Sequence, residues 1–288
     1  MIHIATVHWR NERWLEPQRR YLAHSLETPH RVYADLEGIH GDEGFDVVTR
    51  LAVDAEAPSS HAAKLNALAT LIAREADPRD VLIFLDGDAF PVGPLDGFLD
   101  ETLARFPLAA IRRDENLGDK QPHPSFCATT IGFWQELGGD WSRGRDWTWT
   151  NDFGWTVEDA GGKLLATLTE HQVDWYALRR TNRVNLHPVL FGLYDDLVYH
   201  HGAGFRQVFD RVDRLQAGHV PGLPAWLPPN PPPSTVGRLL WKLRAKWWYL
   251  TRKRGVVERE KRLTRRNEEL SERVFRWLQE DESFWLRV

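Results

Sequence analysis

Residues 81–91 read VLIFLDGDAFP, and this stretch limits the fold more than any other part of the chain. Val81, Leu82, Ile83, Phe84 and Leu85 run without interruption into Asp86, Gly87 and Asp88. A short continuous apolar run between Pro78 and Gly87 predicts a strand buried on both faces, the kind found inside a sheet covered by helices on both sides. Two carboxylates at its C-terminal end fall where open α/β sheets bind ligands. Gly87 lets backbone and ligand approach closely. The acidic pair offers hard oxygen ligands for Mg²⁺ or Mn²⁺. The plain alternative is a solvated acidic turn, since Asp and Gly are common turn residues.

The flanking sequence extends this pattern. Residues 2–7, 31–36 and 46–53 read as strands, with helices over 14–26 and 61–76 between them. Leu65, Leu68, Leu71 and Ile72 give the second helix its buried stripe, and Ser59 or Ser60 supplies its cap. This alternation predicts a doubly wound parallel sheet. A helix over 95–105 and strands over 108–112, 125–133, 164–168 and 197–201 follow, with 152–160 helical and 118–124 a polar loop. Residues 141–155, rich in Trp, Arg, Gly and Asp, read as a loop suited to an acceptor site.

Residues 221–233 contain seven prolines and exclude a helix or a central strand, so they read as a stiff linker. The domain expectation is therefore a body over 1–218, a linker over 219–234 and a helical tail over 235–288. Within the tail, Gly255 is expected to separate a basic helix over 236–250 from a charged one over 257–278. The seven-residue spacing of Val256, Leu263, Leu270 and Trp277 fits a helical hairpin or a homodimer seam.

Composition narrows the class. The 288 residues carry 42% hydrophobic and 27% charged side chains, the balance of an ordinary globular protein. A net charge of −4 argues against general nucleic-acid binding. It hides a basic stretch over 236–254, with seven Lys or Arg and no acid. Arg238, Lys242, Arg244, Lys246, Arg252, Lys253 and Arg254 alternate there with Trp241, Trp247 and Trp248, which suits peripheral contact with an anionic membrane. Cys127 is the sole cysteine, so no internal disulfide framework exists. The first residues show no cationic region followed by a long apolar core. Both point to a cytoplasmic chain, at the inner face of the membrane where the tail binds it.

Thr6-Val7-His8, His61-Ala62-Ala63-Lys64-Leu65-Asn66, Phe84-Leu85-Asp86-Gly87-Asp88, Asn151-Asp152-Phe153-Gly154 and Tyr199-His200-His201-Gly202-Ala203-Gly204 follow in an order that resembles the GT-A class of nucleotide-sugar-dependent glycosyltransferases. The likeness covers residues 1–215. It implies a GT-A-like, Rossmann-type mixed sheet flanked by helices, with a C-terminal helical extension. It also implies sugar transfer from a nucleotide-diphosphate donor to a hydroxyl of a saccharide or lipid-linked acceptor, dependent on Mn²⁺ or Mg²⁺. By the same resemblance Asp88 binds the metal, Asp86 meets the ribose or the metal shell, and His200 or His201 completes the metal site. Strand alternation allows only one of those two histidines to face the cleft. Thr6 and His8 would line the base, and Lys64 would reach the diphosphate as a point charge. Asp152 is implied as the acceptor-side general base, with Glu158 and Asp159 as competitors. Trp147, Trp149 and Trp155 are candidates to stack on the acceptor.

Two other readings use the same residues. In a haloacid-dehalogenase-like phosphatase, Asp86 would be the nucleophile and Asp88 the acid/base, with Asp195-Asp196 as a distal acidic pair. That motif normally follows the first strand, which this one does not. A non-catalytic scaffold would place the function in the basic tail.

Overall fold

The computed structural model describes residues 1–41, 44–51, 60–144, 149–150, 156–157, 159–218 and 232–288. Among them the elements are β1 (Ile2–Trp9), α1 (Leu15–Ser25), β2 (His30–Glu37), β3 (Val47–Thr49), α2 (Ser60–Glu75), β4 (Val81–Asp86), β5 (Ala89–Pro91), α3 (Leu95–Leu103), β6 (Leu108–Arg112), β7 (Pro122–Thr130), α4 (Ile131–Leu137), β8 (Trp149–Thr150), β9 (Thr156–Val157), α5 (Gly162–Glu170), β10 (Tyr176–Leu178), β11 (Gly192–Tyr194), β12 (Val198–His200), α6 (Arg211–Gln216) and α7 (Thr235–Glu280).

Seven strands form the main sheet in the order β10-β6-β7-β4-β1-β2-β3. β4 lies at its centre, parallel to β1 and antiparallel to β7. Its side chains alternate between two cores, as the apolar run predicts. Leu82 and Phe84 join α2, α4 and α5 on one face, whereas Ile83 and Leu85 join α1 and α3 on the other. Phe84 also packs against Trp134 and Trp141, with ring centroids 4.7 and 5.2 Å away.

All pairings in this sheet are parallel except those of β7. A parallel return needs a crossover of about a dozen residues or more. Residues 113–121 are too few, so β7 comes back antiparallel and the sheet is mixed rather than uniformly parallel. The fold is a mixed seven-stranded α/β sheet flanked by helices.

Several local expectations change, and β7 already begins at Pro122, inside the loop expected over 118–124. Residues 164–168 form part of helix α5, with Leu164 and Leu168 buried one turn apart, because a short apolar run does not by itself distinguish strand from helix. The strand expected over 125–133 ends at Thr130, whose hydroxyl accepts from Phe133 N at 3.2 Å and caps α4. Gly255 does not break the tail helix, since α7 runs through it; a helical glycine costs only about 1 kcal/mol relative to Ala. Of the helix expected over 152–160, residues 152–155 and 158 lie outside the described residues, and Thr156–Val157 form strand β9 instead, paired antiparallel with β8.

Two compact units emerge, Met1–Arg206 with Arg273–Val288, and Gln207–Glu272. In the first, Val274, Leu278 and Phe284 are buried, and Leu278 O accepts from Arg20 Nη2 at 2.7 Å. In the second, Asp210 and Asp213 form a capping box at the start of α6, and Asn267 Nδ2 donates to Asp213 Oδ2 at 3.1 Å. No helix among the described residues is long and apolar enough to cross a membrane.

Candidate active site

β4 delivers Asp86 and Asp88 to one end of a cleft of about 380 Å³. Between them, Gly87 leaves no room for a side chain: a Cβ would lie 2.7 Å from His8 Nδ1, Phe205 Cζ and Val7 O. A smaller sheet, β11-β12-β5, adds the third member. β12 runs antiparallel to β5 and sets His200 opposite Ala89, so the imidazole reaches back over both carboxylates. His200 Nε2 is 3.6 Å from Asp86 Oδ2 and 3.6 Å from Asp88 Oδ1. One ligand atom from each of the three lies within 4.8 Å of the others.

This donor set suits a hard divalent cation. Cis ligands held at about 2.1 Å from Mg²⁺ stand roughly 3 Å apart, which the observed spacing approaches. Asp86 Oδ1 is buried without a donor in hydrogen-bonding geometry, although His61 Nε2 lies 3.2 Å away. It retains a lone pair that a cation could use. Burial by itself would raise the Asp88 carboxyl. Its interaction with His200 and with the Gly204 N–H, 2.8 Å from Oδ2, outweighs burial and holds Asp88 well below the usual carboxylate range. His61 behaves the opposite way: burial would lower it, but Asp86 raises it above the ordinary histidine value.

The two neighbouring histidines separate as alternation requires. His200 faces the cleft, whereas His201 turns to the core. There its Nδ1 pairs with Tyr199 OH at 2.9 Å and its ring meets Trp14 at 4.6 Å. Burial lowers the His201 pKa to about 3.

Thr6 and His8 also lie behind the cleft floor, fully buried against Gln18. The Gln18 amide nitrogen donates to Asp86 O and Ala89 O, both at 2.9 Å. Its oxygen accepts from Thr6 Oγ1 at 3.1 Å and pairs with His8 Nε2 at 2.9 Å. His8 therefore carries its proton on Nε2, and one glutamine fastens β1 to the acidic turn. Sequence reasoning missed Gln18, because a mid-helix glutamine has no local signature.

Burial lowers the His8 pKa from 6.5 to about 4. Its contribution to stability is complete above pH 6.5 and is lost as pH falls towards 4, where the unfolded chain binds the proton first. At pH 5 the loss is about 2 kcal/mol. Urea midpoints measured at pH 7 and pH 5 should fall less for His8→Asn than for the parent chain. Equal falls would contradict the burial account.

Lys64 lines the cleft but is already engaged. Its ammonium is paired with Asp35 and lies 2.7 Å from Glu37 Oε2. Lys64→Met leaves the fully buried Asp35 without its cation, whereas Glu37 keeps Arg10 Nη2 at 3.8 Å. Losing one partner of a buried pair costs about 3–5 kcal/mol, so a melting point roughly 10 °C lower is expected. An unchanged melting point would show that Lys64 is not structural. Asn66 is also occupied: Nδ2 donates to Asp140 Oδ1 at 2.7 Å, and Oδ1 accepts from Trp141 N at 3.0 Å.

Arg113, His123, Asp159 and Arg206 also line the cleft, the His123 ring 5.6 Å from that of His200. Arg113 Nη2 lies 3.6 Å from Asp159 Oδ2, and Arg206 Nη2 donates to Gly202 O at 3.0 Å. Burial, aided by Arg113, keeps His123 neutral, well below its ordinary pKa. The sequence reading did not single out Arg113, His123 or Arg206, which flank loops without a motif. Asp152, Glu158, Trp147 and Trp155 lie outside the described residues, as does the side chain of Trp149. Asp195 and Asp196 occupy the β11–β12 turn, both at positive φ, and do not line the cleft.

The chain is similar to glycosyltransferases of known structure. The apo form of GlyE from Streptococcus pneumoniae TIGR4 matches at 14% identity over 60% of this chain and 44% of its own, with a TM-score of 0.38. The galactosyltransferase LgtC, solved with donor and acceptor sugar analogues, matches at 11% identity over 77% of this chain and 98% of its own, also with a TM-score of 0.38. This chain thus spans less than half the length of GlyE. No protein-family model and no curated protein matches the chain.

Proposed function

We propose that the chain is a glycosyltransferase that uses a nucleotide-diphosphate sugar and a divalent cation, Mn²⁺ or Mg²⁺. The observation that carries this reading is the Asp86–Asp88–His200 cluster at the end of the central strand, opening into a cleft large enough for a small ligand. When bound there, the cation would act as a Lewis acid for the negative charge that develops on the departing diphosphate.

The chain's own residues have separate tasks. Asp86, Asp88 and His200 hold the cation, and Gln18 fixes the turn that presents both carboxylates. Arg113 and Arg206 offer positive charge to the donor or acceptor. Trp9 and Phe205 at the rim supply apolar faces for a base or sugar ring. Asp152 is the proposed general base that takes the acceptor hydroxyl proton, with Asp159 as its competitor on the cleft wall. Thr6, His8 and His201 are assigned supporting positions in this reading, and Lys64 acts first as the counter-ion of Asp35 and Glu37.

The test is release of nucleoside diphosphate from a panel of UDP- and GDP-sugars with saccharide and lipid-linked acceptors, run with Mn²⁺ and with EDTA. Metal-dependent release with one donor supports the proposal, and release unaffected by EDTA removes the cation from it. Asp152→Asn and Asp159→Asn, compared over pH, distinguish the base. The true base should lose its acidic pH limb along with about 10²–10⁴-fold in kcat.

A further inference from the structure

The first turns of α7 take no part in the proposed transfer chemistry. Val236, Leu239, Leu240, Leu243, Trp247 and Leu250 fall within an arc of about 100° at 3.6 residues per turn. All six are 50–70% exposed. A lone exposed leucine is ordinary, but six aligned apolar residues on one helix face mark an interaction surface. Arg244 and Lys246, both exposed, border this stripe on opposite sides. The surrounding stretch, residues 236–254, contains seven cations and no acid.

We infer that this helix face docks on an anionic lipid bilayer, lying in the surface plane. Its apolar side chains enter the headgroup–acyl boundary, while the flanking Lys and Arg stems extend to the lipid phosphates. Charge selects this occupant over a second copy of the chain. Packing two copies stripe to stripe would bring two cationic borders together, whereas anionic headgroups neutralise them. None of these side chains is among the cleft-lining residues, and the inference does not depend on the transferase reading.

The test uses the full chain with phosphatidylcholine vesicles, with and without phosphatidylserine. The chain should co-sediment with the anionic vesicles and not with the neutral ones, and salt should weaken the association. Arg244→Gln with Lys246→Gln removes two surface cations and should weaken binding about 30-fold. Leu243→Ser with Trp247→Ser should weaken it at least as much. Unchanged urea unfolding in both variants excludes misfolding as the cause. Failure to bind anionic vesicles, or equal binding to neutral ones, overturns the inference. So does concentration-dependent self-association that Leu243→Ser with Trp247→Ser abolishes while vesicle binding is absent. That result would assign the face to a second copy.

Discussion

Asp88→Asn is expected to abolish Mn²⁺-dependent nucleotide binding and to lower turnover about a thousandfold, the equivalent of ~4 kcal/mol. Asparagine preserves the shape of the side chain, and its amide oxygen can still accept from Gly204 N, so the turn should remain folded. What is lost is one of only two carboxylates in the cluster. A neutral amide is a much poorer ligand for a hard dication. Electron paramagnetic resonance of Mn²⁺ titrated into both proteins reads the loss directly. Asp195→Asn, at the hairpin turn, is the matched control and should bind as the parent does. An Asp88→Asn protein that retains full Mn²⁺ affinity would refute the assignment.

Gly204→Ala should damage the same site through sterics alone. A Cβ at this position would lie 2.5 Å from Asp88 Cβ and 2.6 Å from Trp14 Nε1, closer than real contacts allow. The backbone has little freedom to retreat. Gly204 N donates to Asp88, and its carbonyl accepts from Asn11 Nδ2 at 3.0 Å and Trp14 Nε1 at 3.2 Å. Overpacking of this kind costs about 1–3 kcal/mol, and the relief route is displacement of the Asp88 carboxylate. The expected result is a lower urea midpoint together with loss of Mn²⁺ affinity. Gly97→Ala supplies the contrast, because nothing lies within 4 Å of its Cβ in helix α3. That substitution should stabilise the chain by about 1 kcal/mol. Equal tolerance at both positions would contradict the packing described around Asp88.

The central strand and the acidic turn were legible because their signals are local. Five consecutive apolar residues must be buried on both faces, and carboxylates at the end of such a strand have one place to go. Strand alternation likewise limited His200 and His201 to one cleft ligand, and the β5–β12 pairing brings His200 to the carboxylates. Other features depend on contacts distant in sequence. Gln18 acts on Asp86 and Ala89 from 68 and 71 residues away, and no periodicity records that. The antiparallel direction of β7 follows from the length of a loop, not from the strand's composition. Thr6 and His8 carry the polar character of ligand-binding residues, yet here they satisfy one buried glutamine. Lys64 illustrates the same limit: a helix lysine looks available until Asp35 and Glu37 are placed beside it.

The most direct test of a metal-assisted nucleotide-diphosphate site is calorimetric titration of UDP and GDP into the parent chain, each with and without Mn²⁺. One of the two should bind only when Mn²⁺ is present, with a single site per chain, which would also identify the base. Binding of neither, or binding indifferent to Mn²⁺, would contradict the reading of Asp86, Asp88 and His200 as the cation site of a nucleotide-sugar transferase.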